Sequence, residues 1–332
     1  MPTEKLKAVV AGTGWGQVHV QGYAESEHAD LIAVWSRSDK PSARAVAGKY
    51  GVKLYHDFTK MLDEVRPDVV SVSTPEVIHA PLTIEALNHG CHVYCEKVLS
   101  DSAAVARDMV AAAAANKRQL NVGYNYRYSP SCLYLTDVVK QGRLGTLLFA
   151  HLRAFTWCVH HMTDFATSLL GQPKRTAAAI ELEPLPDKPH KSDASQHYGT
   201  FIYAAFTKKT YMVEYEGGAM LMAGATDYSA IEEPGATFSI VGSDGRAELD
   251  DLTGKVTVWS GSREATVFTP SQIVDAIGLR NNGVAAIKDF ARAMAEGEPA
   301  PIPGEAGVEM IVLEEAILRG GETGKWEPVA GC

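Results

Sequence analysis

The sequence holds no apolar run approaching the roughly 20 residues that cross a bilayer, so no membrane partner is expected. Its start lacks a charged segment followed by an apolar one, which predicts no secretory leader. Positive charge is in deficit: 31 Lys and Arg stand against 40 Asp and Glu, a net charge of −9. Nucleic-acid partners call for basic patches, so that class is set aside. Cysteine is scarce and odd in number, with five residues at 91, 95, 132, 158 and 332. No Cys-x-x-Cys pair and no His-Glu-x-x-His pattern occurs, so neither a disulfide framework nor a metal site is expected. A reducing cytoplasm is the expected location, with Cys91 and Cys95 as buried thiols in an apolar strand. Repeats and low-complexity tracts are also missing, and 332 residues suggest about two domains.

What is present begins with Leu6-Lys7-Ala8-Val9-Val10-Ala11, an apolar run of strand type, followed by Gly12-Thr13-Gly14-Trp15-Gly16-Gln17 and an amphipathic stretch from Val18 to Tyr23. Strand, Gly-x-Gly turn and helix form the nucleotide-binding entry of a doubly wound fold. Gly12 allows the tight turn, Gly14 lets the backbone approach a pyrophosphate, and the helix N-terminus offers free N–H groups to that anion. The third glycine falls at Gly16 and Gln17 takes its usual place, so context carries the signal: the turn follows a strand directly. Leu31–Trp35 reads as a second strand ending in Ser36-Arg37-Ser38, where an acid that would bind a ribose 2′-hydroxyl is absent. Ser36 can donate hydrogen bonds and Arg37 can pair with a 2′-phosphate, which favours NADP over NAD. Asp39 lies farther along and reads as a cap for the helix that starts near Ser42.

Further strands are predicted at 53–55, 68–73, 91–95 and 119–122, alternating with helices at 42–50, 58–65, 78–89 and from Ser102 to about Lys117. Val105, Met109 and Ala112–Ala113 are expected on the buried face of the last. Alternation of this kind predicts a parallel sheet covered on both sides, with ligands at the C-terminal ends of its strands. Gly12, Ser36, Thr74 and Lys97 all fall at such ends. From residue 123 the pattern changes. A helix is expected near 132–141 and strands at 147–155, 200–206, 210–215, 238–241, 247–249 and 255–259, with a turn at Lys208-Lys209. Period-2 strands with short turns predict an antiparallel or mixed sheet. Two helical stripes follow, Val284, Ile287, Phe290, Ala291 and Met294, then Val308, Ile311 and Val312. Residues 181–193 read as an exposed loop.

Taken together, these motifs resemble the Gfo/Idh/MocA oxidoreductases: the Gly-x-Gly turn followed by His19, Ser73-Thr74-Pro75 with His79-Ala80-Pro81, Cys95-Glu96-Lys97, Gly123 through Pro130, and Gly142-Arg143-Leu144-Gly145. The resemblance implies an N-terminal Rossmann domain, taken as residues 1–122, and a substrate-binding and oligomerisation domain over 123–332 with an open, mostly antiparallel sheet. It also implies NAD(P), with the nicotinamide between the domains, and homodimers or homotetramers built on that sheet. The cofactor-binding set is Gly12, Gly14, Trp15, Gly16, Gln17, Ser36, Arg37, Thr74, Pro75, His79, Glu96 and Lys97. The family's Glu-Lys-Pro maps onto Glu96 and Lys97, with Val98 in place of proline.

A histidine pattern of the family maps onto residues 157–164. His161 is the implied proton-exchanging group and Asp164, three residues on, its expected orienting partner on one helix face. Trp157 replaces the first acid of that pattern, which suggests a less polyhydroxylated or aromatic substrate stacked on it. His160 is rotated about a quarter turn away and reads as a packing, capping or substrate-side residue. Asn125, Tyr126 and Arg127 read either as substrate contacts or as ties between the crossover helix and the sheet. The implied activity is hydride transfer between nicotinamide and a secondary alcohol or ketone of a sugar, cyclitol or related small molecule, with Lys97 and His161 handling the proton. Two other readings stay open: a cofactor-retaining epimerase or lyase, and a dinucleotide-sensing regulator.

Overall fold

The computed structural model describes residues 4–154, 156–181, 208–226, 236–250, 253–261, 264–270 and 276–330; the side chains at 156, 157, 226 and 276–279 fall outside the description. The chain runs β1 (Leu6–Ala11), α1 (Gly16–Ala24), β2 (Ala29–Trp35), α2 (Pro41–Tyr50), β3 (Lys53–Tyr55), α3 (Phe58–Val65), β4 (Val69–Val72), α4 (His79–Asn88), β5 (His92–Cys95), α5 (Ala103–Ala115) and β6 (Leu120–Val122). It continues with α6 (Pro130–Lys140), β7 (Leu147–Ala154), α7 (Thr156–Leu170), β8 (Pro173–Glu181), β9 (Lys208–Tyr215), β10 (Met220–Thr226), β11 (Thr237–Gly242), β12 (Gly245–Asp250), β13 (Lys255–Ser260) and β14 (Thr266–Phe268). Last come α8 (Ala276–Glu296), α9 (Gly304–Thr323) and β15 (Glu327–Pro328).

The chain divides into two compact units, the first comprising residues 1–124 and 280–311. Its six strands are all parallel, in the order β3-β2-β1-β4-β5-β6. That is the doubly wound order, with its reversal between β1 and β4. The inner strands are continuously apolar because both faces are covered; Ala8 to Ala11 and all of β4 are buried. Local chemistry sets the helix starts. Asp57 accepts from the Lys60 N–H at 2.9 Å and Ser102 from the Val105 N–H at 3.3 Å. The buried side of α5 is Ala103, Ala106, Met109 and Ala113; Val105 is only half-buried, so the buried stripe runs slightly out of phase with the expected one. The α8 stripe covers this sheet. A Cβ on Gly22 of α1 would stand 2.6 Å from the Cβ of Ile287, and Phe290 meets Tyr94 edge-on at 5.6 Å.

The described residues of the second unit form a nine-stranded mixed sheet, ordered β14-β13-β12-β11-β7-β10-β9-β8-β15. Among the described residues, only the β7–β10 pairing is parallel. Burial alternates along β7 from Phe149 onward: Ala150, Leu152 and Ala154 face inward, while Phe149, His151 and Arg153 face out. The turn expected at Lys208-Lys209 is instead the start of β9. Lys209 is buried and forms an ion pair with Glu314, so a dibasic pair that reads as a solvated turn is an inward strand position with a carboxylate opposite. The strand expected at 200–206 and most of the loop at 181–193 lie outside the described residues, as does the Trp157 side chain. Among the described residues, no helix is long and apolar enough to cross a membrane.

Candidate active site

The glycine turn sits at the end of β1, at the point where the strand order reverses. Gly12 has φ +109°, a conformation that L side chains rarely adopt. A Cβ there would overlap the Ser73 carbonyl oxygen and stand 2.7 Å from its carbon. Gly14 faces open space: a Cβ there would meet nothing within 4 Å. Gly16 makes only ordinary contacts with Val10 and Ser73. The Gln17 amide donates to the Thr13 carbonyl at 3.2 Å and so braces the turn from within. These residues fit a dinucleotide pyrophosphate: a positive-φ glycine closes the turn, an uncovered one leaves room for the anion, and a helix starts at Gly16. At the end of β2, Ser36 is buried and its hydroxyl donates to the Ser38 carbonyl at 2.9 Å. Arg37 is exposed. Asp39 accepts from Arg44 at 3.1 Å.

The ends of β4 and β5 carry a dense polar cluster. Glu96 is buried; its Oε1 accepts from Trp15 Nε1 at 3.2 Å and from His19 Nε2 at 3.0 Å. Its Oε2 accepts from the Lys97 backbone N–H at 3.3 Å. Gly123 leaves room for this carboxylate, since a Cβ there would come within 2.9 Å of it. Glu96 therefore ties α1 and the glycine turn to the strand end that presents Lys97, itself half-buried. The Lys97–Val98 peptide bond is cis. The buried His79 ring spans two loops: Nδ1 lies 2.7 Å from the Val98 carbonyl oxygen and Nε2 lies 2.8 Å from that of Thr74. Burial pushes the His79 pKa down, while those two carbonyl contacts act against the fall.

Sequence reasoning missed Glu76. It lies in a single 3₁₀ turn, Glu76–Ile78, between Pro75 and α4, and is 2% exposed. Neither carboxyl oxygen has a hydrogen-bond partner, nor does the neighbouring Thr74 hydroxyl. Burial pushes the carboxyl up to about 7, with the Lys97 charge opposing and Asp101 adding to the rise. The available signal was an acid set between a proline and two aliphatic residues just past a buried strand. A folded-state pKa above the unfolded 4.5 stabilises the fold only while the group is protonated. That advantage is complete below about pH 4.5 and is lost as the pH rises through 7. Glu76→Gln cannot ionise. Its melting temperature relative to wild type is expected to climb by several degrees between pH 5 and pH 7 and level off above. A constant difference in a pH series of thermal melts would refute that.

In the second unit, residues 125–128 form a 3₁₀ turn beside α7. Arg127 holds Asp164 through two bonds, Nε to Oδ2 at 2.8 Å and Nη2 to Oδ1 at 2.6 Å. Asp164 is 1% exposed; burial raises its pKa, and the guanidinium charge and hydrogen bonds oppose the rise. His161 is buried with its ring stacked on Tyr126, centroids 4.3 Å apart at 11°. The Tyr126 hydroxyl lies 3.3 Å from Cys158 Sγ. The structure thus brings Tyr126, Arg127, His161 and Asp164 together, with Arg127 paired to Asp164 and Tyr126 stacked on His161. Asn125 and His160 are buried beside them in sequence, and Asn125 Oδ1 has no hydrogen-bond partner.

The comparisons with known proteins agree with this architecture. The structure superposes on levoglucosan dehydrogenase in complex with NADH with a TM-score of 0.86 at 19% identity, covering 99% of this chain and 100% of the other. An oxidoreductase from Agrobacterium radiobacter in complex with NAD+, L-tartaric acid and magnesium gives 0.85 at 16%, covering 98% and 99%. At such identities the likeness establishes the fold. Among curated relatives, D-glucoside 3-dehydrogenase of Escherichia coli is 33% identical over 161 residues, 48% of this chain and 46% of that protein. Inositol 2-dehydrogenase of Rubrobacter xylanophilus is 33% identical over 146 residues, 43% and 42%. The match spans less than half the length of each relative. Residues 6–124 match the family model described as oxidoreductase family, NAD-binding Rossmann fold, and residues 154–330 match its C-terminal alpha/beta domain. With both models matched in order along one chain, the protein belongs to the Gfo/Idh/MocA oxidoreductase family.

Proposed function

We propose that the protein transfers a hydride between a nicotinamide dinucleotide and a secondary alcohol or ketone of a sugar, cyclitol or related small molecule. The observation that carries this reading is the strand-end cluster of the first unit: a glycine turn with room for a pyrophosphate, tied through Glu96 to Lys97. The names of the two curated relatives, a glucoside and an inositol dehydrogenase, support the substrate class. The dinucleotide, when bound, supplies the hydride acceptor or donor at its nicotinamide C4.

The chain's own residues do the rest. Gly12, Gly14 and the start of α1 hold the pyrophosphate, and Thr74, Pro75 and Glu96 shape the pocket wall at the strand ends. Lys97 and His161 take and return the hydroxyl proton. Arg127 keeps Asp164 in place on the helix that carries His161. The end of β2 favours NADP: it has no acid before Asp39, Asp39 is engaged by Arg44, and Arg37 is exposed. The solved structures of like fold carry NAD+ or NADH, so both cofactors are tested. Fluorescence titration should give tighter binding of NADPH than NADH, with Arg37→Ala weakening NADPH by about tenfold, one charge-assisted phosphate contact, and leaving NADH unchanged. Equal or reversed affinities would assign NAD instead.

The outward face of the second sheet carries exposed Phe149 and Met222 beside a groove of about 500 Å³ lined by His151, Arg153, Glu248, Asp250 and Lys255. A second copy of the chain covering this face would give the homodimer or homotetramer expected of it. Sedimentation of the protein with Phe149→Glu should then show dissociation, while a monomeric wild type would exclude the assembly.

A further inference from the structure

The end of β2 carries a contact from the neighbouring strand. β2 and β3 run parallel with Trp35 opposite Tyr55, and the Ser36 N–H donates to the Tyr55 carbonyl at 3.0 Å. Ser36 and His56 are therefore the next residues out on the two strands. His56 Nδ1 lies 2.7 Å from the Ser36 carbonyl oxygen. A carbonyl oxygen only accepts, so Nδ1 carries the hydrogen and Nε2 is left as the basic nitrogen. That nitrogen lies 4.0 Å from Asp39 Oδ1, too far for a hydrogen bond but within reach of its charge. The other Asp39 oxygen accepts from Arg44 of α2 at 3.1 Å. The Ser36 hydroxyl already donates to the Ser38 carbonyl. Charge therefore carries more of the distinction between a ribose 2′-hydroxyl and a 2′-phosphate at this strand end.

We propose that His56 sets the choice between NAD(H) and NADP(H) by its protonation. With Nε2 protonated, the imidazolium and Arg44 flank the two oxygens of Asp39 and offset its charge, and a 2′-phosphate is accepted. Without that proton, Asp39 is offset less. Its carboxylate then repels a 2′-phosphate and accepts from a ribose 2′-hydroxyl. The ring exchanges this proton with solvent, to which it is open. Its Nδ1 bond to Ser36 persists in both states, so the charge changes while the ring stays in place. Imidazole is the side chain that changes charge between about pH 5 and 8, so the preference moves from NADP(H) towards NAD(H) as the pH rises. The other charged groups nearby in the chain are Arg37 and Lys40, exposed on the Asp39 loop, and Asp57, which accepts from the Lys60 N–H of α3. Arginine and lysine keep their charge across that range. The proposal rests on the binding of a nicotinamide dinucleotide at these strand ends.

The test is fluorescence titration of the full-length protein with NADPH and with NADH from about pH 5.5 to about pH 8. Wild type, His56→Asn and His56→Lys are compared. The asparagine amide can still donate to the Ser36 carbonyl but carries no charge, whereas lysine carries one throughout. The quantity read is the ratio of the NADH to the NADPH dissociation constant. The second ionisation of a phosphate monoester, near about pH 6, is common to all three proteins and cancels between them. Over the series the wild-type ratio should fall about fivefold more than that of His56→Asn, the worth of one exposed charge contact. At about pH 8 the ratio of His56→Lys should exceed that of wild type by a similar factor. Equal pH dependence in wild type and His56→Asn would overturn the proposal, as would a lysine variant that matches wild type at the upper end. The size of the ratio tests the NADP assignment, and its pH dependence tests His56. A preference for NADH at every pH, with the slope lost in His56→Asn, would remove the NADP assignment and leave His56 standing. A preference for NADPH with an unchanged slope would do the opposite. Binding of neither dinucleotide would remove the cofactor reading and the proposal with it.

Discussion

Gly12→Ala is expected to raise the dissociation constant for the reduced dinucleotide by at least about 100-fold and to lower the melting temperature of the protein. Two independent costs add. A φ of +109° is unfavourable for any L side chain. The added methyl would also overlap the Ser73 carbonyl, which belongs to backbone and cannot swing aside. Relief requires β1 and the loop after β4 to part, and that moves the turn on which a pyrophosphate would rest. Gly14→Ala provides the contrast. Its methyl meets nothing, so the melting temperature should be unchanged, while dinucleotide binding still weakens because the methyl enters the space left for the anion. Titration and thermal melts of the two variants check this. Equal behaviour of the pair would mean that the turn does not discriminate structure from binding as described.

The second large effect is expected at Arg127. Replacing it with methionine keeps most of the stem but removes both bonds to a carboxylate that is 1% exposed. Breaking a buried ion pair from one side leaves an uncompensated charge and costs about 3–5 kcal/mol. The guanidinium is about a quarter exposed, so the lower part of that range is expected. Asp164→Asn in the same background should recover much of the loss, because the amide needs no counter-charge. Denaturant unfolding of the two single variants and the double variant forms the required cycle. Additive losses would show that Arg127 and Asp164 do not stabilise one another.

The first unit was legible in the sequence because its inner strands are largely buried on both faces and so appear as mostly apolar runs, closed by Gly12, Ser36, Ser73 and Glu96. The strand at 53–55 and the helix at 58–65 have the expected bounds. The second unit was harder. β8 contains Ala177-Ala178-Ala179 and β10 contains Ala223-Gly224-Ala225, residues of weak strand propensity that the register of their neighbours holds in the sheet. Lys209 misled because its partner Glu314 is 105 residues away along the chain. The same limit applies to the site. The family resemblance pointed to Lys97 at a strand end and to His161 on a helix, and the structure has Lys97 just past β5 and His161 within α7. The Arg127 grip on Asp164, the Tyr126 stack on His161 and the orphaned carboxyl of Glu76 are products of packing, which no local pattern encodes. That residues 280–311 belong with the first unit is likewise a long-range fact.

The most direct test of the account is a turnover assay. Wild type and Lys97→Ala would be incubated with NADP+ or NAD+ and a panel of glycosides, free sugars and cyclitols, following the near-ultraviolet absorbance of the reduced nicotinamide. The account predicts reduction by wild type with at least one member of the panel and a loss of about 100-fold or more in kcat in the variant, whose dinucleotide affinity changes far less. Equal rates in the two proteins would contradict the role given to Lys97. Dinucleotide binding with no hydride transfer to any of these alcohols would contradict the proposed reaction itself.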